Sequence, residues 1–204
     1  GFEKYGAVQV TPRNYYRLMQ TGQDVMLFPG GAAEALTGNK SYPLFWPEKV
    51  DFVRTAARFN ATILPLSAVG MVDSVNVLAE PKDFFDLPLI GERIRKQNAN
   101  VSAARYDQKN EDEVIGFPIA FPKSPARNYF VFGKPIDTAT IDPNDKEACA
   151  RVYKQAREEQ RRGLDDILRV REHDPFQSAA KRIAYEQVWG KSAPTFPVEL
   201  LNEH

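Results

Sequence analysis

The chain has 204 residues, which is enough for one domain with a substantial hydrophobic core. Lysine and arginine total 27, as do aspartate and glutamate, so the formal net charge is zero and a broad nucleic-acid interface is not indicated. With Cys149 as the only cysteine and His173 and His204 as the only histidines, an internal disulfide and histidine-rich metal chemistry are excluded. No apolar run approaches the roughly 20 residues of a membrane-spanning helix.

Strands and helices are predicted to alternate over most of the chain. In chain order we predict a strand over 6–10, a helix over 13–19, a strand over 25–28, a helix over 48–59, and strands over 62–70 and 128–133. The helix over 48–59 has Val50, Val53 and Ala57 on its buried face, with Phe52 as a further candidate. Pro65 favours an edge position or a bulge for its strand. Because helices separate the strands, we expect an α/β fold with a mixed, mainly parallel sheet flanked by helices.

The segment 77–127 is predicted to be an irregular insertion. A loop of this length is unusual and is commonly functional. Its apolar side chains are interpreted either as a flap facing a membrane or an acyl chain, or as loop residues packed into the core; they are Phe84, Phe85, Leu87, Leu89 and Ile90.

The segment 142–190 is predicted to form C-terminal helices. Asp142-Pro143 is typical of a helix start, and the helix is expected to continue to about Glu172 with an interruption considered at Gly163. Asp174-Pro175 repeats this signal for a second helix that ends at Trp189-Gly190. The chain is therefore interpreted as a single domain over 1–204.

A sharp bend separates the apolar run Val25–Phe28 from the helix-forming residues that follow. The bend is Pro29-Gly30-Gly31, and its glycines allow positive φ and a close approach to the backbone. A strand, a glycine turn and a helix start in this order aim backbone N–H groups at a ligand above a sheet, although a purely structural loop has the same pattern. Glu34 either orients this turn or lies in solvent.

The whole string from Gly30 to Leu36, Gly-Gly-Ala-Ala-Glu-Ala-Leu, resembles the third sequence block of the glycerolipid acyltransferases. Its form is that of diacylglycerol acyltransferases and plastid phytyl ester synthases. Further segments are similar to this family in the same order, and they cover almost the whole chain: 6–14, 52–59, 63–65, 69–70 with Asp73, 129–136, and 171–176 with Arg182 and Tyr185.

The resemblance implies an O-acyltransferase domain that moves a fatty acyl group from a thioester, acyl-CoA or acyl-ACP, to a lipid alcohol, without a cofactor. Phosphate-binding members have an arginine where this chain has Ala33, so a neutral acceptor such as diacylglycerol or phytol is expected unless Arg13 or Arg54 supplies the charge. The implied substrate-binding residues are Phe28, Pro29, Gly30, Gly31 and Glu34. Plastid location, peripheral membrane contact and membership of a protein complex are expected on the same ground.

The family's general base is a histidine in a His-x4-Asp block that lies before the second block. Nothing precedes Gly1 here, so we expect an upstream part to be missing and assign no catalytic residue or metal ligand within the chain. His173 is interpreted as structural. The alternative is a catalytically inactive acyltransferase-like domain that serves as a scaffold or subunit of a plastid membrane assembly. A serine hydrolase is not supported, because no Gly-x-Ser-x-Gly motif is present.

Overall fold

A computed structural model describes residues 2–31, 34, 40–48, 51–79, 119–123 and 126–201. The helices are α1 (Pro12–Gln20), α2 (Asp51–Arg58), α3 (Lys146–Val170) and α4 (Ala179–Trp189). The strands are β1 (Thr62–Ile63), β2 (Leu66–Val69), β3 (Val75–Ala79), β4 (Ile119–Pro122), β5 (Tyr129–Phe132) and β6 (Ile136–Asp137). Short 3-10 turns lie at Phe2–Tyr5, Val72–Ser74, Arg171–His173 and Val198–Leu201. The predicted mixture of helices and strands is confirmed.

The six strands form three two-stranded antiparallel sheets, nested along the chain, which we together call the ribbon. β1 pairs with β6, β2 with β5, and β3 with β4. Between the first two pairs, residues 64–65 face residues 133–135, so one strand carries an extra residue. The Gly133 N–H still donates to the Pro65 carbonyl at 2.9 Å. The extra residue lies in 133–135, so a bulge on the partner strand faces Pro65, for which an edge position or a bulge was predicted.

Helix α3 covers one face of this ribbon. Its 25 residues span about 37 Å at ~1.5 Å per residue. Its buried residues recur at three- and four-residue spacing along one stripe: Ala148, Cys149, Val152, Tyr153, Ala156, Gly163, Leu164, Ile167 and Val170. The helix runs through Gly163, whose lack of a side chain lets α3 approach Ser67 of β2.

The core consists of two clusters, and α3 contributes to both. In the first cluster, Cys149, Val152 and Tyr153 pack with Val53 of α2 and Ile136 of β6. In the second cluster, Leu164, Ile167 and Val170 pack with Val69, Tyr129 and Phe196. The predicted buried positions Val53 and Ala57 of α2 are confirmed, and Phe52 is half-buried against the first cluster. Val50 lies outside the described residues.

Two predicted N-terminal strands are wrong. Residues 7–10 and 23–28 are neither helix nor strand, and Met26 and Phe28 are 68% and 70% exposed. An extended segment becomes a strand only when another strand accepts its hydrogen bonds. In the described part of the chain, no strand pairs with either segment. All three described pairs are antiparallel, so a mainly parallel sheet is not shown.

Both predicted C-terminal helices begin later than expected. The Asp142 carboxylate accepts the Asn144 N–H at 2.8 Å in a turn, and Asp145 caps α3 by accepting the Ala148 N–H at 2.9 Å. The second helix begins at Ala179 after Ser178, and the Asp174 Oδ1 accepts the Phe176 N–H in a turn that precedes it. The predicted end at Trp189-Gly190 is confirmed. Most of the predicted insertion, including Phe84 to Ile90, lies outside the described residues.

Candidate functional site

The glycine bend has one buried and one exposed side. Gly30 is buried, whereas the Phe28 side chain points largely to solvent. Gly31 has a φ of +57° and its N–H donates to the Phe28 carbonyl at 3.0 Å. The left-handed conformation costs a residue with a side chain about 1–2 kcal/mol, which explains a glycine at this position. A ligand that contacts the Gly31 amide would have to share a donor that the turn already uses.

Glu34 holds the bend in place. Its Oε1 accepts the backbone N–H of Phe45 at 2.7 Å. Its carboxyl group lies so close to the Gly30 α-carbon that any side chain on residue 30 would overlap with it. A side chain at residue 30 would therefore displace the Glu34 carboxyl group from this position, in which Glu34 is half-buried.

The segment 42–47 connects the bend to the core. The Tyr42 carbonyl accepts a hydrogen bond from Arg161 of α3 at 3.0 Å, and the Tyr42 hydroxyl accepts the Gly70 N–H at 2.8 Å. At the other end, the Tyr153 hydroxyl of α3 donates to the Pro47 carbonyl. Since Phe45 lies between these anchors and bonds to Glu34, the bend is fixed relative to α3.

A buried polar group lies where β5 meets the C-terminal residues. The Asp174 side chain is fully buried, and its Oδ2 accepts hydrogen bonds from Arg127 at 2.9 Å and from the Tyr129 hydroxyl at 2.7 Å. Its Oδ1 accepts the Phe176 N–H at 2.7 Å. Burial first, and then the hydrogen bond and charge of Asp174, raise the pKa of Tyr129 above the usual tyrosine value.

The titratable residues singled out from the sequence are not brought together. His173 is exposed in the turn after α3, and its imidazole has no hydrogen bond or ion pair with the described residues. Cys149 is buried, and this burial raises the pKa of its thiol. Arg54 donates to the Pro143 carbonyl at 3.1 Å. In the part of the chain that the structure describes, no cluster of three His, Cys, Asp or Glu side chains suits a metal ion.

The helices are short or polar by the standard of a membrane span. Within the described ranges, none of them combines the length and the apolar character needed to cross a bilayer.

Comparison with known proteins shows two curated proteins that are similar in sequence to this chain. Phytyl ester synthase 1, chloroplastic, from Arabidopsis thaliana is 36% identical over 188 residues, 89% of this chain and 27% of its own length. Phytyl ester synthase 2, chloroplastic, from the same plant is 34% identical over 205 residues, 96% of this chain and 29% of its own length. This chain is similar to the phytyl ester synthases over nearly its whole length. The resemblance stated from the sequence blocks is confirmed.

The match is limited in extent. The chain spans less than a third of the length of these two phytyl ester synthases. No protein-family profile matches the chain, and no solved structure matches it.

Sequence reasoning missed the contacts of Arg127 and Asp174. Asp174 was taken for a helix cap because Asp-Pro commonly precedes a helix. The two residues are 47 positions apart, so no local pattern could have paired them. The sequence signals for these residues are their positions: Arg127 lies shortly before a predicted strand, and Asp174 lies in a segment that resembles the acyltransferases. Neither position indicates that the two side chains meet.

Proposed function

We propose that this chain is part of an enzyme that esterifies a phytol-like lipid alcohol with a fatty acyl group. The observation that carries the proposal is the 34–36% identity to two phytyl ester synthases over 89–96% of the chain. Because the chain spans only 27–29% of their length, the activity of the whole protein is part of the proposal.

The proposed reaction transfers an acyl group from a thioester to a hydroxyl group. A base removes the hydroxyl proton, the oxygen attacks the thioester carbonyl carbon, the C–S bond breaks, and the thiol leaves with a proton. We propose a neutral acceptor, because Ala33 stands where phosphate-binding relatives have an arginine and the Arg54 side chain is bonded to Pro143. The acyl donor is proposed to be acyl-CoA or acyl-ACP.

The glycine bend is the proposed substrate-binding element, with Phe28, Pro29, Gly30, Gly31 and Glu34 as its residues. Its support is the fixed backbone around Gly30 and Glu34, together with the exposed aromatic ring of Phe28 beside it. A rigid backbone with an apolar neighbour suits a reacting group attached to a long hydrocarbon chain.

Location and partners follow from the relatives by analogy. Since the names of both phytyl ester synthases describe them as chloroplastic, we propose that this chain works in a plastid, in contact with lipid at a membrane surface. Membership of a protein complex is part of the same proposal.

The alternative is a scaffold without catalysis. Its motive is that the family's His-x4-Asp block is not found between Gly1 and His204. The two proposals differ in whether any acyl thioester is consumed.

The test is an acyl-transfer assay on the protein expressed from its full coding sequence. Purified protein is incubated with phytol and labelled acyl-CoA or acyl-ACP, with diacylglycerol and glycerol 3-phosphate as alternative acceptors. Phytyl ester should form, and glycerol 3-phosphate should not be acylated. If no ester forms with any donor, the enzyme proposal is wrong and the scaffold is favoured.

The chain offers a matched pair of variants that locates the substrate site. Gly31 and Gly22 both have positive φ, at +57° and +69°, and a Cβ on either would meet no atom within 4 Å. Gly31→Ala and Gly22→Ala therefore carry similar backbone strain, yet only Gly31 lies in the bend. We expect Gly31→Ala to lower kcat/KM by about tenfold or more, whereas Gly22→Ala stays near wild type. Equal effects would contradict the bend as substrate site while leaving the reaction intact.

A further inference from the structure

After α4, the chain returns and packs against the second core cluster. We call residues 191–201 the strap. Most of the strap is exposed, but Ala193 and Phe196 are buried. The Phe196 ring stacks on the Tyr129 ring with a centroid distance of 5.7 Å and an interplanar angle of 29°. Leu200 and Leu201 pack against the second cluster, so the strap closes that cluster from outside.

Arg127 bonds the strap to the segment before β5, while Arg169 of α3 and Glu186 of α4 make further hydrogen bonds to it. Its Nη1 donates to the Pro194 carbonyl and its Nη2 to the Ala193 carbonyl, both at 2.7 Å. The same guanidinium forms the 2.9 Å ion pair with Asp174. The Arg127 side chain is 16% exposed and that of Asp174 is 0% exposed, so solvent compensates poorly for the loss of this ion pair.

Arg127 also lies close to the residues that connect β2 to β3. The Arg127 carbonyl lies so close to the Gly70 α-carbon that a side chain at Gly70, where φ is +126°, would overlap with it. One residue earlier, the Ala126 N–H donates to the Ser74 Oγ at 3.0 Å, and the Lys123 N–H donates to the Ser74 carbonyl at 2.8 Å. We call residues 70–74, 123 and 126–128 the ribbon base.

A second ion pair joins residues 70–74 of the ribbon base to the turn after α3. Asp73 Oδ2 accepts Arg171 Nη1 at 2.7 Å, and both side chains are largely buried. Arg171 and Asp174 lie at the two ends of one short turn. The turn after α3 thus contacts both segments of the ribbon base, one through Arg171 and Asp73 and the other through Asp174 and Arg127. Arg127 also bonds to the strap.

We infer that the strap and the ribbon base open and close as one cooperative unit, with Arg127 as the link between them. If the strap lifts alone, Arg127 loses two backbone acceptors and Tyr129 loses its stacking partner. If the ribbon base moves alone, Arg127 leaves a buried carboxylate without its counter-charge. Each half-open state leaves buried polar groups unpaired, which is more costly than opening both parts to water. This inference does not depend on the proposed reaction.

The test is amide hydrogen exchange, resolved by residue, on the full chain with Phe196→Ala. This change weakens the strap without touching Arg127. We expect the amides of Lys123 and Ala126 to exchange about tenfold faster or more, together with strap amides such as Leu200. Amides of α3 within the first cluster, residues 149–156, should keep their protection. Val198→Ala is the matched control, because Val198 lies in the same strap but is exposed.

A second variant tests the link itself. Arg127→Lys keeps a positive charge for Asp174, but a single amine cannot bond to the carboxylate and both carbonyls with the geometry of a guanidinium. In the Arg127→Lys background, Phe196→Ala should speed exchange in the strap and no longer in the ribbon base. The inference is overturned if Phe196→Ala affects the strap alone in the native background, or if the ribbon base responds equally in both backgrounds. Should Phe196→Ala unfold the chain, Leu201→Ala, a milder change on the same side of the strap, replaces it in both arms.

Discussion

Gly163 shows how one residue sets the distance between α3 and the ribbon. A Cβ on Gly163 would lie 2.5 Å from the Ser67 Oγ and 3.1 Å from Val131 Cγ1. The Ser67 hydroxyl has little room to move, because it donates to the Gln160 carbonyl at 2.9 Å. Gln160 in turn donates to the Leu66 carbonyl at 2.8 Å. Helix and strand are thus joined by two hydrogen bonds one turn away from the glycine.

We predict that Gly163→Ala lowers the free energy of unfolding by about 1–3 kcal/mol, the usual cost of overpacking a core. At an open helix position the same change stabilises by roughly 1 kcal/mol. Urea denaturation of a double-mutant cycle with Ser67→Ala checks this. The double variant should recover part of the loss, because the shortened side chain on the strand lacks the Oγ that clashes. An additive cycle would show that the clash is not with Ser67.

Tyr129 makes stability depend on pH in the alkaline range. Its pKa is raised in the folded state, chiefly by burial, so the folded protein keeps the phenol proton at pH values where the unfolded chain has lost it. The contribution is fully present below about pH 10, the ordinary tyrosine pKa, and it is lost as pH rises above that value.

We therefore predict that, between about pH 10 and 11, wild type loses stability faster than Tyr129→Phe, by up to about 1.4 kcal/mol per pH unit. Urea denaturation of both proteins at several pH values measures the difference. Because Tyr15 and Tyr42 also have raised pKa values and titrate in both proteins, only the difference between the two curves is informative. Parallel curves would contradict the role given to Tyr129.

At the scale of the element, the β2–β5 pair has two different faces. Toward α3, Ser67, Val69 and Tyr129 are buried. On the other face, Phe130 and Phe132 are 63% and 64% exposed, and they pair across the strands with Ala68 and Leu66. Alternation along the strand explains this difference, because successive side chains point to opposite faces.

We predict that the double variant Phe130→Thr/Phe132→Thr changes stability by less than about 1 kcal/mol and improves solubility, since the rings are exposed and threonine suits a strand. Val131→Thr is the matched control on the opposite face. Val131 packs against the second cluster, so its replacement should cost about 1–3 kcal/mol by burying a hydroxyl group. Thermal unfolding and light scattering distinguish the cases. A large loss from the double variant would mean that the outer face is covered.

At the scale of the whole molecule, sequence reasoning succeeded best where local pattern determines the structure. The helix at Pro12–Gln20, the buried face of α2, the strand at Tyr129–Phe132 and the end of α4 were all predicted from periodicity and from caps. The strands over 6–10 and 25–28 were not found, because a strand depends on a partner that composition does not reveal. The antiparallel ribbon was missed for the same reason, since its partners lie about forty or more residues apart.

For the candidate site, local sequence signals were enough to single out the bend and Glu34, but not their surroundings. Glycines and a helix start are local signals, so Gly30, Gly31 and Glu34 could be singled out. The bond between Glu34 and Phe45 and the two bonds of Tyr42 join distant segments and emerged only from the fold. The resemblance to acyltransferases marked several of these segments without indicating which of them touch.

The cross-strand pairing of Ala79 with Ile119 has a practical consequence. These two residues are direct neighbours, roughly 5 Å apart, at the far end of the ribbon from β1 and β6. The two ends of the segment 80–118 are therefore held next to each other by the β3–β4 pair. Because a tight hairpin turn can join two paired residues, we expect the β3–β4 pairing to form when 80–118 is replaced by such a turn.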